Sequence, residues 1–269
     1  MRKMIKLIAT DVDGTLVKDS ARDMYEELLD AVEQLYDRGI HFAVASGRQY
    51  TSIRRMFERV ADKISYIAEN GAHLVVGGRD LSVTLMKREY VEQIMEDLRS
   101  LYPQDCHVVA STPKGCYLES RDEYFIRLIR DSYRNDVLLT DDILKEQTDI
   151  IKLAVYRRDT LREIGESFLI PKWKDRVKCC MAGEEWVDFM GFGVDKGKAL
   201  GLLQSTLGVT PEETMAFGDN NNDKGLMLAA GESYAVENAV AEVKAAAKYS
   251  CPSYEHKGVY QVLKREFGL

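Results

Sequence analysis

The sequence predicts an α/β protein: a doubly wound parallel sheet interrupted by an inserted α+β segment. Three observations carry that expectation. Apolar runs separated by a helical repeat open the chain, as in strand–helix–strand units. Near Ser82 the pattern turns to hairpins mixed with helices. Near Gly191 it returns to strands alternating with helices. With 269 residues and 45% hydrophobic content, the chain can bury a sizeable core as one large or two modest domains. The expected division is 1–82 with 190–269, and 83–189.

Residues 5–10 read as a buried strand running into Asp11-Val12-Asp13-Gly14-Thr15-Leu16. Carboxylates two residues apart point the same way in an extended chain, and Gly14 permits a sharp turn. Two acids at the end of a buried strand cost solvation unless positive charge sits between them. Mg²⁺, which prefers oxygen ligands, answers that need. Taken alone, the motif reads as a solvated turn.

Met24, Leu28, Ala31, Val32 and Leu35 follow at helical spacing, stopped by Gly39. Residues 40–45 form a second strand, expected to be parallel to the first. It ends at Ser46-Gly47-Arg48, ahead of a helix to about Val60. Strand ends on one rim collect ligands in such sheets, so Ser46 is placed beside Asp11 and Asp13. There a hydroxyl and helix-start amides can hold a phosphate oxygen; alone, Ser46 reads as an N-cap. A third strand, 64–68, ends at Glu69-Asn70-Gly71-Ala72, and a hairpin follows, with 73–76 ahead of Gly77-Gly78.

In the insertion, a helix carries Val91, Ile94, Met95, Leu98 and Leu101 on one face. Hairpins are expected at 106–110/115–119 and 177–181/186–190, with helices at 123–133 and 161–168 and a strand at 150–156. No catalytic cluster stands out there. After Gly191, Lys196 lies just ahead of a helix with Ala199, Leu202, Leu203, Thr206 and Leu207 inward. It reads as a surface lysine or as a point charge for phosphate. Strand 214–217 runs into Gly218-Asp219-Asn220-Asn221-Asn222-Asp223, then an apolar helix at 226–230 in which Gly225 has no account. An edge strand at 234–236 and helices at 240–248 and 259–267 close the chain.

The net charge of −7, without a long basic run, argues against broad nucleic-acid or anionic-membrane binding. Five cysteines with no CxxC pair suggest reduced thiols in a cytoplasmic protein. The four histidines are scattered and read as structural. Met1-Arg2-Lys3 is like a signal-peptide n-region, but the apolar run behind it is too short.

Asp11/Asp13, Ser46, Lys196 and Asp219/Asp223 together, in this order and spacing, resemble the haloacid dehalogenase superfamily. The likeness is to its Cof-like branch of sugar-phosphate phosphatases, and it covers the whole chain. It implies a Rossmann-like core with a large α/β cap formed by the insertion. Departures are Ser46 where Thr is frequent, Asn220 where Gly is frequent, and Glu237-Asn238-Ala239 where Gly-Asn-Ala is usual.

The resemblance also implies roles. Asp11 is the nucleophile, forming an aspartyl-phosphate, and Asp13 is the proton shuttle. Mg²⁺ is held by Asp11, the Asp13 carbonyl and Asp219, supported by Asp223. Ser46, the amides of Val12 and Gly47, Lys196 and Asn222 hold the phosphoryl group; Arg48 and the cap select the leaving group. The expected activity is Mg²⁺-dependent hydrolysis of small phosphorylated metabolites by a monomer or homodimer. Alternatives are a sugar phosphomutase and a non-catalytic phosphometabolite binder.

Overall fold

The computed structural model describes residues 4–19, 21–146 and 148–269. Met1-Arg2-Lys3, weighed above as a targeting segment, lies outside them. Two compact units emerge: Met1–Ser82 with Asp195–Leu269, and Val83–Val194.

The first unit is built on an eight-stranded sheet. Its order is Tyr249–Cys251, Glu232–Val236, Thr214–Gly218, Leu7–Asp11, His41–Ala45, Ile64–Ala68, His73–Val76 and Arg79–Val83. The first six are mutually parallel, and His73–Val76 returns antiparallel to Ile64–Ala68. Leu7–Asp11, Ile64–Ala68 and Thr214–Gly218 are buried at every position, as parallel strands covered on both faces must be. From Leu7–Asp11 the chain builds outward on one side through His41–Ala45. It comes back on the other side as Thr214–Gly218. The reversal of strand order therefore falls between Leu7–Asp11 and Thr214–Gly218, where an open sheet leaves a crevice at the carboxyl ends.

Helix Glu26–Asp37 buries Leu28, Leu29, Ala31, Val32 and Leu35, and Gly39 takes φ +74° just beyond it. The helix expected after Ser46-Gly47-Arg48 is Tyr50–Met56, with Gln49 as its N-cap residue, and a 3-10 turn at Glu58–Val60 follows it. The N-cap reading of Ser46 is thereby overturned: its hydroxyl accepts instead from the Arg48 amide at 3.1 Å. The strand read as an edge, Glu232–Val236, has Tyr249–Cys251 outside it. Three residues carry too little periodicity to betray a strand. Arg79–Val83 escapes notice for another reason: it is a polar, largely exposed edge strand.

The second unit holds a six-stranded sheet ordered Lys178–Met181, Trp186–Met190, Lys152–Arg157, Cys106–Thr112, Gly115–Leu118 and Val137–Leu139. All its pairs are antiparallel except the last. Helix Arg88–Arg99 buries Val91, Ile94, Met95 and Leu98. The segment expected to end at Phe168 continues as helix to Trp173, past Pro171, by way of a π turn at Gly165–Leu169. A widened turn absorbs the hydrogen bond and the space that a helical proline takes away. All five cysteines are free, and burial pushes Cys106 up to about 11, as suits inert core thiols. Among the described residues no helix is long and apolar enough to cross a membrane.

Candidate active site

Asp11 is the last residue of its strand, and Asp219 directly follows the neighbouring strand Thr214–Gly218. Parallel pairing alone brings these acids, 208 apart in number, to one rim. Asp223 joins them: the ligand oxygens of Asp11, Asp219 and Asp223 all lie within 4.8 Å of one another. Asn220 and Asp223 form a capping box, so Asp223 Oδ2 accepts from the amides of Asp219 and Asn220, each at 3.1 Å. Thr15 Oγ1 donates to Asp219 Oδ1 at 3.0 Å.

Lys196 enters this cluster as the first residue of helix Lys196–Leu207. It is not a surface lysine. Its side chain is 0% exposed, and Nζ donates to Asp11 Oδ1 and Asp223 Oδ1, both at 2.6 Å. Burial alone would lower the lysine's pKa, but the two carboxylates raise it above its ordinary value. The buried stripe of the helix is Lys196, Ala199, Leu200, Leu203 and Gln204, not the Leu202 and Thr206 of the sequence reading. That reading left out the polar Lys196 and Gln204, which are buried, and took in Leu202 and Thr206, which are exposed. Gln204 is buried because its amide donates to Thr214 Oγ1 and the Ala229 carbonyl, each at 2.9 Å.

Gly225 now has an account. Helix Lys196–Leu207 crosses helix Lys224–Ala229 at Gly197 and Gly225. A Cβ on Gly197 would strike the Gly225 backbone, and one on Gly225 would strike the Asp195 carboxylate. That carboxylate caps the first helix by accepting from the Gly197 amide at 2.8 Å and the Lys198 amide at 3.1 Å. Gly225→Ala is expected to cost about 1–3 kcal/mol by overpacking and to lower turnover by shifting Lys196. Urea denaturation beside steady-state kinetics checks it, and unchanged values in both would contradict the crossing.

With Asp11, Asp219 and Asp223 ionised, three carboxylates face one ammonium, leaving two negative charges uncompensated. Burial and the Asp223 charge raise Asp11 well above the carboxylate range, against the pull of Lys196. Burial and Asp223 push Asp219 up to about 6, the Thr15 hydrogen bond opposing. Asp11 Oδ2 is buried without a hydrogen-bond partner among the described residues. Gly14, at φ +82°, leaves room for Asp219, whose carboxylate a Cβ there would overlap.

Asp13 takes no part in this cluster. The strand ends at Asp11, and the chain turns through Gly14, whose amide donates to the Val17 carbonyl at 2.7 Å. Asp13 thus lies two residues past the strand end, where period-two alternation no longer fixes a side chain's direction. The Asp13 carboxylate pairs with Arg48, Nε to Oδ2 at 2.7 Å and Nη2 to Oδ1 at 2.5 Å. Val12 is buried, and its carbonyl accepts from the Leu16 amide at 2.9 Å. Asn222 donates to Asn70 Oδ1 at 2.9 Å, and the Asn70 amide donates to the Ser46 carbonyl at 2.9 Å. Gly47 lies against the Asn70 side chain. Ser46, Gly47 and Asn222 thus meet through Asn70, held at φ 58°. Asn238 donates to the Gly14 carbonyl at 2.7 Å, tying the C-terminal region to the acid turn. The roles of Thr15, Asn70 and Asn238 were not read from the sequence, although each lies in a motif quoted there.

Residues 8–263 match the family described as haloacid dehalogenase-like hydrolase. The chain is 29% identical over 261 residues to the 5-amino-6-(5-phospho-D-ribitylamino)uracil phosphatase YbjI of Escherichia coli K12, covering 97% of this chain and 96% of that one. It is 26% identical to a Bacillus subtilis protein of the same activity name, YitU, covering 98% of each. A crystal structure from Eubacterium rectale superposes with a TM-score of 0.88 at 38% identity, covering 98% of this chain and all of that one.

Proposed function

The chain belongs to the haloacid dehalogenase-like hydrolases, enzymes whose named relatives are phosphatases, and from that premise we propose a Mg²⁺-dependent phosphatase of small phosphorylated metabolites, working through an aspartyl-phosphate. The observation that carries this reading is Asp11, a buried carboxylate with one oxygen on Lys196 and the other without a hydrogen bond among the described residues.

An all-oxygen donor set, an orphaned buried oxygen and two excess negative charges fit a hard divalent cation. Asp11, the Asp13 backbone carbonyl and Asp219 would hold Mg²⁺, with Asp223 in support. When bound, the ion neutralises the acids that would otherwise repel phosphate and polarises the phosphoryl group.

The chain's own residues supply the rest. An Asp11 oxygen attacks phosphorus, forming one O–P bond as the bond to the leaving oxygen breaks. Asp13 gives that oxygen a proton, then takes one from a water whose oxygen attacks the phosphoryl-aspartate. The acyl O–P bond breaks, releasing phosphate and restoring Asp11. Ser46, the Val12 and Gly47 amides, Lys196 and Asn222 would hold the phosphoryl oxygens as charge redistributes. The ribityl phosphate in two relatives' names supports sugar and polyol phosphates as the substrate class.

A panel of such phosphates with Mg²⁺ is expected to give phosphate release that chelation abolishes and that an Asp11→Asn blank lacks. Silence across the panel, with the wild-type chain folded, would sink the reading.

A further inference from the structure

Resting on the reading above, we infer that Arg48 is a positioning residue for Asp13 and does not read the leaving group. All three guanidinium nitrogens are engaged within the protein. Nε and Nη2 take the two oxygens of Asp13. Nη1 donates to the Ala21 carbonyl at 3.0 Å and lies 3.1 Å from Met56 Sδ. The Arg48 side chain is 7% exposed and that of Asp13 27%. The accessible member of the pair is therefore the carboxylate, and the cation stands behind it. A group that recognises a sugar must turn its donors outward, and these are turned inward.

The fork sets more than distance. Two parallel N–H donors fix the plane of a carboxylate as well as its place. Asp13 needs that restraint, because it sits past the end of its strand, in an isolated bridge to Val17 at the mouth of a turn. Arg48 can supply it because its own segment follows His41–Ala45, the parallel neighbour of Leu7–Asp11. Each Asp13 oxygen keeps a second lone pair beside its guanidinium N–H, so the carboxyl can pass a proton to the leaving oxygen as the P–O bond breaks without leaving the fork.

The role separates substrates by how much they need a proton. An alkoxide leaving from a hexose 6-phosphate needs one; 2,4-dinitrophenolate does not. For Arg48→Met, kcat on the hexose 6-phosphate is expected to fall by about 10²-fold, and that on 2,4-dinitrophenyl phosphate by less than about tenfold. KM for the sugar phosphate should hold. Arg48→Lys, which keeps the charge without the fork, is expected to resemble Arg48→Met more than wild type. It also carries the test if the methionine variant does not fold.

Combined with Asp13→Asn, Arg48→Met should add no further loss, since it acts through Asp13. Equal losses on both esters, a raised KM with kcat kept, or multiplying losses in the double variant would each overturn the inference. Those results leave wild-type, Asp11-dependent hydrolysis intact, whereas failure of the phosphatase reading removes it from the wild type itself.

Discussion

Asp11→Asn is expected to lower kcat by at least about 10⁴-fold while the chain stays folded. An amide keeps the shape of the carboxylate and loses its nucleophilic oxygen. The fold should tolerate the change because ionised Asp11 is itself a burden. Its pKa is raised by burial and by Asp223, so the folded state favours the protonated form. Above the ordinary carboxylate value, the ionised group therefore subtracts from stability. A neutral amide removes that cost. It also takes one of two acids from Lys196, but Asp223 remains at 2.6 Å.

Without Mg²⁺, the variant is thus expected to melt within a few degrees of wild type. With Mg²⁺, wild type should gain stability by mass action, and the variant should gain less, having lost a ligand. Melts with Mg²⁺ and with chelator, run beside turnover, check both halves. A variant that still turns over, or that keeps the full Mg²⁺ increment, would remove Asp11 from the proposed centre.

The sequence made the central strands legible because parallel strands covered on both faces are apolar throughout; Leu7–Asp11 and Thr214–Gly218 are examples. Once these lie side by side, Asp11 and Asp219 must share a rim. What stayed hidden was of two kinds. Short or polar strands such as Tyr249–Cys251 and Arg79–Val83 carry no period to detect, and their place comes from pairing partners. Contacts between distant polar groups leave no local trace either. Asn238 meets Gly14 across 224 positions, and Arg48 meets Asp13 across 35. Lys196 kept two readings, surface lysine or point charge, for a related reason: a cation looks like surface until two buried acids are set beside it. Gly225 looked like a flaw in a helix because the second glycine that explains it lies on another one.

Lys196→Met is expected to be the most damaging single change to stability, about 3–5 kcal/mol in the absence of Mg²⁺. Methionine fills most of the volume, so lost packing is not the cause. The cause is the acids left behind. Asp223 would still accept from the amides of Asp219 and Asn220. Asp11 would not be so served: its Oδ1 would lose the Lys196 hydrogen bond, and Oδ2 has none among the described residues. An uncompensated carboxylate would then be buried beside two others. If that is the origin of the loss, removing the stranded charge should restore much of it. The double variant Lys196→Met with Asp11→Asn is accordingly expected to be more stable than Lys196→Met alone, a coupling of about 1–3 kcal/mol. Mg²⁺ should likewise recover part of the loss in the single variant, by supplying positive charge among the same oxygens. Urea denaturation of wild type, both single variants and the double, in chelator and in Mg²⁺, measures each of these. Additive losses in the cycle would show that Lys196 stabilises the fold by packing and not by compensating Asp11, and the charge balance proposed for the site would fail with it.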